Sequence, residues 1–178
     1  MMLVRRKLFP DQAGVTAVEF ALVAPVFLGL IMTILNLGQM MLGMAALNGA
    51  VQEAARGTTV QGADTSTVDD FVKGRIAPIL PGVTIASTRK SYFDFTDIKR
   101  PEKFTDTNQD GKCSNSEPYT DENNNGKWDD DVGKAGNGGA NDVTLYTVKA
   151  TYKPMLTVPL LITDWSSTTL TASVIKKN

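Results

Sequence analysis

One apolar stretch decides the fold. It reads GVTAVEFALVAPVFLGLIMTILNLGQMMLGMAALNGAVQ over residues 14–52, and Glu19 is the one charged side chain in it. An apolar run of about 20 residues forms a helix long enough to cross a bilayer core roughly 30 Å thick. Residues 15–36 are therefore predicted to be a transmembrane helix. Because three basic residues at positions 5–7 precede it, we expect the N-terminus on the cytoplasmic side and everything after residue 40 on the other.

The residues around Glu19 follow a recognisable order. A carboxylate near the start of a membrane helix must be paired, protonated or held at the interface. Here a basic leader, Gly14, Glu19 five residues on, and Pro25 inside the apolar run occur together. The leader, Gly14 and Glu19 resemble a prepilin processing site of the type IV pilin superfamily. The longer string from Gly14 to Pro25 is similar to the N-terminus of TadE-like pseudopilins, which belong to tight-adherence (Tad) pili.

The resemblance implies a specific fate for the N-terminus. In that family a prepilin peptidase cuts after the glycine, so the cut here lies between Gly14 and Val15 and residues 1–14 are the leader. Glu19 would neutralise the freed amine of a neighbouring pilin or pseudopilin subunit during assembly in the bacterial inner membrane. The alternative is an uncut signal anchor in which Glu19 lies at the headgroup boundary. A secretory signal peptide is a poor match. The apolar region of such a peptide is shorter than the one here, and the peptidase cuts after the apolar region instead of before it.

Composition excludes several classes of function. The chain has no His and a single Cys, Cys113, so His-based acid–base catalysis, Ser-His and Cys-His triads and His-containing zinc sites are excluded. A net charge of -1 without a clustered basic face argues against binding of nucleic acid. Cys113 could be buried, inert or paired with another chain, and the sequence leaves these open.

The apolar helix is predicted to continue beyond the membrane through residues 37–60. Apolar residues at intervals of four and three share one helical face: Met40, Met44, Leu47, Val51 and Ala54. Glycines at positions 38, 43 and 49 are interleaved with them and would allow another helix to approach closely. This stripe is expected to pack on the chain's own sheet, and packing on another helix is the alternative.

Residues 61–178 are predicted to form one small α+β domain. Ser66, with the acidic Asp69 three residues later, has the pattern of a helix N-terminus and predicts a second helix at 66–76. Prolines at positions 78 and 81 end it. Strand-like patterns follow at 83–95, 143–152 and 168–175, and a proline-bearing apolar link, 153–162, connects the last two. The fold class is therefore α+β, an antiparallel meander with the long helix laid across one face. The resemblance implies a pilin-like arrangement.

Residues 97–142 form an insertion that is rich in Asp, Asn and Gly and poor in large apolar residues. Its segment 106–117 has the spacing of a twelve-residue calcium loop: alternate oxygens converge on one ion, Gly111 makes the turn, and a glutamate closes the sphere. The predicted ligands are Asp106, Asn108, Asp110, Lys112 through its carbonyl, Ser114 and Glu117. The alternative is a solvated loop of Asx turns that binds nothing.

A second copy starts fifteen residues later. It keeps the oxygen positions and the glycine, with predicted ligands Asp121, Asn123, Asn125, Lys127 through its carbonyl, and Asp129. Its twelfth position is Val132 instead of Glu, so Asp130 or Asp131 would have to substitute. Because Pro118 follows Glu117 directly, no exiting helix can form there. The pair resembles the helix-free calcium loops of extracellular bacterial and matrix proteins.

These observations predict a structural protein. The first hypothesis is a minor TadE-like pseudopilin of a Tad pilus, with calcium as the cofactor that stabilises an exposed loop. The second is a signal-anchored, calcium-dependent adhesin or binding module. An enzyme is disfavoured because oxygen ligands in calcium spacing stand without a candidate base or nucleophile.

Overall fold

The structure is a computed structural model that describes residues 13–57, 65–114, 117–156 and 167–178. Two helices, a short 3₁₀ turn and four strands follow one another: α1 (Ala13–Gly57), α2 (Thr65–Ile76), β1 (Thr84–Tyr92), the 3₁₀ turn (Phe95–Asp97), β2 (Lys134–Ala135), β3 (Val143–Tyr152) and β4 (Thr168–Lys177). The predicted leader up to residue 12, the predicted helix end after Gly57 and most of the predicted apolar link lie outside the described residues.

Helix α1 is the longest element, with 45 residues and Pro25 inside it. At about 1.5 Å per residue it extends for roughly 68 Å, more than twice the thickness of a bilayer core. It is also apolar enough to cross a membrane, and it is the one such helix among the described residues. The large apolar side chains of its first half are exposed. Among the described residues of α1, the first buried one is Asn36, close to the predicted end of the membrane segment.

Polar contacts fix the point where α1 joins the domain. The side-chain amide of Asn36 is buried and donates to the carbonyl of Leu156 at 2.7 Å. One turn further on, Gln39 donates to the carbonyl of Ile79 and accepts from the amide of Met155. These two side chains therefore satisfy backbone groups of the domain at the end of the predicted membrane segment.

The four strands form one antiparallel sheet in the order β2-β1-β3-β4. Strand β3 lies in the middle, and its buried residues alternate with less buried ones, as expected for a sheet with one covered face. The predicted α+β class and the antiparallel sheet are confirmed. Two details differ: β1 ends at Tyr92 and leaves Phe93 88% exposed, and the two-residue edge strand β2 has no signal in the sequence.

The second half of α1 packs on its own domain. Leu47, Val51 and Ala54 of the predicted stripe are buried in the core beside residues of α2, β3 and β4. Gly43 is needed for this contact, since a Cβ there would lie 2.9 Å from a methyl carbon of Leu80. Self-packing of the stripe is confirmed for these three residues and for the partly buried Met40, whereas Met44 is exposed. A Cβ added at position 38 or 49 would meet no atom within 4 Å in the described part of the chain, so these glycines face away from the domain.

Besides its core residues, helix α2 contacts the sheet through the carboxylate of Asp69. Asp69 accepts from the hydroxyl of Ser87 at 2.6 Å, from the hydroxyl of Tyr146 at 2.8 Å and from the guanidinium of Arg89 at 3.2 Å. The guanidinium also lies over the Tyr146 ring, 4.4 Å from its centroid. Burial and then the contact with Asp69 raise the pKa of Tyr146, so its hydroxyl stays a donor.

Candidate functional site

The first predicted calcium loop folds around its own side chains. Oδ2 of Asp106 accepts from the amide of Gly111 at 2.9 Å. Oδ1 of Asn108 accepts from the amide of Asp110, and Oδ1 of Asp110 accepts from the amide of Lys112 at 2.8 Å. Each of these bonds joins a predicted ligand position to the backbone of the turn. The sequence spacing therefore produces a turn that its own side-chain oxygens close through hydrogen bonds to the backbone.

The second loop repeats these three bonds, and in it Oδ1 of Asp121 also accepts from the amide of Asn125. Oδ2 of Asp121 accepts from the amide of Gly126 at 2.7 Å, Oδ1 of Asn123 from the amide of Asn125, and Oδ1 of Asn125 from the amide of Lys127. The backbone also matches. The fourth position has positive φ in both loops, 61° and 59°, and so does the glycine at the sixth, 74° and 80°. The two loops are thus two copies of one structure.

Glu117 closes the first loop. Its Oε1 accepts from the amide of Thr107 at 2.9 Å and its Oε2 from the amide of Ser114 at 2.8 Å. The bonds from Ser114 and then Thr107 lower the pKa of this carboxylate. It is 4% exposed, so the loop holds an ionised glutamate against its backbone.

One oxygen of the first loop is left without a donor. Oδ1 of Asp106 is shielded from solvent and accepts no hydrogen bond from the part of the chain that the structure describes. A buried carboxylate oxygen without a partner carries a desolvation cost that a bound cation would remove. Among the described residues, however, no three acidic or Cys side chains assemble into a preformed metal cluster.

The second loop lacks a glutamate at its twelfth position but contacts one from outside the loop. Glu102, which precedes the first loop, is 1% exposed and accepts from the amides of Glu122 at 2.8 Å, Asn123 at 3.2 Å and Asp129 at 3.1 Å. Our sequence analysis missed this residue. The signal was available, because the fifteen-residue repeat extends back to it: EKFTDTNQDGK at 102–112 aligns with EPYTDENNNGK at 117–127.

Asp131, the predicted substitute for the missing glutamate, contacts the sheet instead. Its Oδ2 accepts from Lys90 Nζ at 2.8 Å and from the Tyr92 hydroxyl at 3.1 Å, and its Oδ1 accepts from the amide of Gly133. Burial and then the bond to Asp131 raise the pKa of Tyr92 to about 12. The structure therefore uses Asp131 to attach the insertion to β1. Asp129 remains beside the loop, where the amides of Asn123 and then Asn125 lower its pKa.

A short bridge and an aromatic pair join the two loops. Phe104 and Tyr119, equivalent residues of the repeat, form an antiparallel bridge. The ring of Phe104 also meets Trp128 edge to face at 5.7 Å. The Trp128 ring N–H donates to the carbonyl of Glu102 at 2.9 Å. Cys113 occupies the position equivalent to Trp128. It is a free, half-buried thiol whose pKa burial and then Glu117 raise, so it stays protonated.

The predicted processing and assembly residues lie at the other end of the molecule. Gly14, Val15 and Glu19 are exposed in the first turns of α1, in the half of the helix that precedes the domain. Residues 14–56 match the family described as TadE-like protein. Residues 14–56 are a TadE-like segment. No curated protein and no solved structure gives a match.

The TadE-like segment coincides with α1, so the predicted resemblance is confirmed for the helix. The sheet domain and both loops lie outside the match. Together, the segment and the exposed apolar half of α1 indicate a membrane-anchored component associated with Tad pili. Pilin subunits and the membrane are the partners that this association implies.

Proposed function

We propose that the chain is a minor pseudopilin, a structural or assembly component of a Tad pilus. Helix α1 crosses the inner membrane once, with the N-terminus in the cytoplasm and the sheet domain in the periplasm. The main support is that the TadE-like segment coincides with a helix whose first half lies outside the domain. From Val15 to Asn36 the helix rises about 33 Å, the thickness of a bilayer core. That half is therefore free for lipid or for neighbouring subunits.

A prepilin peptidase is proposed to cut between Gly14 and Val15 and to free the Val15 amine. Glu19, exposed one turn further along α1, would then pair with the amine of a neighbouring subunit. In a low-dielectric membrane such a pair is far more favourable than an unpaired carboxylate.

The N-terminal residue of the protein from membranes tests this proposal. With an active peptidase we expect a chain that begins at Val15, and without one an uncut chain. A Gly14→Ala variant should block cleavage, and Gly38→Ala is the matched control because both glycines face open space. Glu19→Gln should leave cleavage intact and reduce recovery in sheared pili, whereas Glu53→Gln on the same helix should not. An uncut chain in cells with an active peptidase would contradict processing and favour the signal-anchored adhesin.

We also propose that calcium stabilises the insertion. The repeated loops supply carboxylate, amide and carbonyl oxygens, the ligands that this cation prefers, and Asp106 Oδ1 is buried without a donor. The residues proposed to hold the ion are those of the predicted positions in each loop, Asp131 excepted. The bound cation would supply charge neutralisation and cross-linking in place of an apolar core.

Limited proteolysis and Trp128 fluorescence test the calcium proposal. Extracellular loops of this kind bind at about 10⁻⁴ to 10⁻³ M, so millimolar calcium should slow cleavage within residues 97–142 relative to excess chelator. Magnesium at the same concentration is the ionic-strength control. Equal cleavage and equal emission with chelator and with calcium would contradict the proposal and leave the pilus assignment untouched.

A further inference from the structure

The second loop has no glutamate at its twelfth position, and Val132 stands there. The first loop shows what that glutamate does. Three of the hydrogen bonds that join Glu117 to its loop are made with the backbone of other loop residues: its amide donates to the carbonyl of Ser114, its Oε2 accepts from the amide of Ser114, and its Oε1 accepts from the amide of Thr107. Ser114 and Thr107 are the ninth and second residues of the loop. A closing glutamate is thus recognisable by its contacts with these two positions.

Glu102 makes the same three contacts with the second loop. Its amide donates to the carbonyl of Asp129 at 3.0 Å, its Oε2 accepts from the amide of Asp129, and its Oε1 accepts from the amide of Glu122. Asp129 and Glu122 are the ninth and second residues of that loop. The correspondence extends to the backbone donor, so it is a shared geometry and not a single chance bond.

The position of Glu102 in the repeat explains how it arrives there. Glu102 and Glu117 each precede the first residue of a loop by four positions, before Asp106 and Asp121 respectively. The Phe104 bridge to Tyr119 lays these two lead-in segments antiparallel, with the amide of Thr105 bonded to Pro118 and the amide of Thr120 bonded to Lys103. In this pairing Glu117 contacts the first loop, which it ends, and Glu102 contacts the second loop, which lies further along the chain.

We infer that Glu102 is the closing calcium ligand of the second loop. It would take the role of a twelfth-position glutamate, because Val132 at that position has no side-chain oxygen. The inference rests on the proposed calcium function, whose independent support is the buried, donorless Oδ1 of Asp106. Oε1 of Glu102 already accepts from the amides of Glu122 and Asn123, and Oε2 accepts from the amide of Asp129. Because each oxygen of a carboxylate has about two acceptor positions, one position on Oε2 is left for an ion. Glu102 is also 1% exposed, and a buried negative charge is stabilised by a bound cation.

Calcium titration of the full chain in detergent, followed by NMR, tests this inference loop by loop. The amides of Gly111 and Gly126 each donate to the first aspartate of their own loop, so their resonances report the two sites separately. We expect Glu102→Gln to raise the dissociation constant read at Gly126 about 10–100-fold and to leave that at Gly111 unchanged. Glu117→Gln should do the reverse, and Glu53→Gln on α1 should change neither.

Each other result has a distinct meaning. A wild-type Gly126 titration in Glu102→Gln would overturn the inference and leave calcium binding standing. Absence of both titrations in the wild-type chain would contradict the calcium proposal, and the inference with it. Loss of both titrations in Glu102→Gln would show that Glu102 supports the insertion as a whole, and this too overturns the inference. A persistent Gly111 titration shows that the variant's insertion is still folded.

Discussion

Replacement of Leu47 by Ala should weaken the packing of α1 on the sheet without changing the half of the helix that is proposed to cross the membrane. Leu47 lies in the second half of α1, and its side chain is part of the core. Its side chain is 0% exposed and lies in the apolar cluster of α1, α2 and the sheet. Three carbons are lost, and at about 0.8 kcal/mol per buried methylene the transfer free energy amounts to roughly 2.4 kcal/mol. The cavity left behind adds to this, so we expect a loss of about 3–4 kcal/mol in the free energy of unfolding.

Leu42→Ala is the matched control, since Leu42 lies on the same helix and is 58% exposed. The same chemical change there should cost no more than about 0.5 kcal/mol. Denaturant unfolding of both variants in detergent, followed by the near-ultraviolet circular dichroism of the buried tyrosines, measures the difference. If the two variants unfolded at the same denaturant concentration, the second half of α1 would not be docked on the sheet, and the core described above would be wrong.

Three further predictions concern the contacts that hold α2 and the insertion on the sheet. Asp69→Ala removes the acceptor that side chains of β1 and β3 share, so denaturant unfolding should show a loss of about 1–3 kcal/mol. Gly133→Ala places a Cβ 2.6 Å from the Tyr92 ring and should speed proteolysis within the insertion. Burial raises the pKa of Asp131, but Lys90 and the neighbouring donors outweigh it and the net pKa is lowered. Its stabilising contribution is therefore present above the unfolded pKa of about 3.9 and lost as pH falls through the lower folded value, so the stability difference between wild type and Asp131→Asn should shrink from pH 6 to pH 3.

The sequence predicted best where a pattern is local. The apolar run predicted the first half of α1 and the alternation predicted β3, and the structure has both elements. The stripe through Leu47 and Val51 also indicated which side of α1 is buried, and the structure confirms it. Edge strand β2 could not be predicted in this way. It has two residues, and it exists because Lys134 and Ala135 meet β1 across the sheet. A pairing this short has no period to read.

In the two loops, too, the sequence predicts the local structure but not the contacts with residues from outside the loop. Their internal turns follow from spacing alone, since an Asx side chain bonds to an amide two residues on and glycine supplies the positive φ. The partners from outside each loop do not follow from spacing. Asp131, adjacent in sequence to the second loop, is drawn to Lys90 and Tyr92, whereas Glu102, far from it in sequence, contacts its backbone.

By itself, then, the sequence determined the TadE-like helix, the α+β class and the internal structure of two repeated loops, because each depends on residues within a few positions of one another. The tertiary structure decided which glycine of α1 touches the domain, which acid attaches the insertion to the sheet and which glutamate reaches the second loop. Those choices depend on the antiparallel bridge between Phe104 and Tyr119 and on the packing of α1 over the sheet, which bring together residues that no local pattern connects.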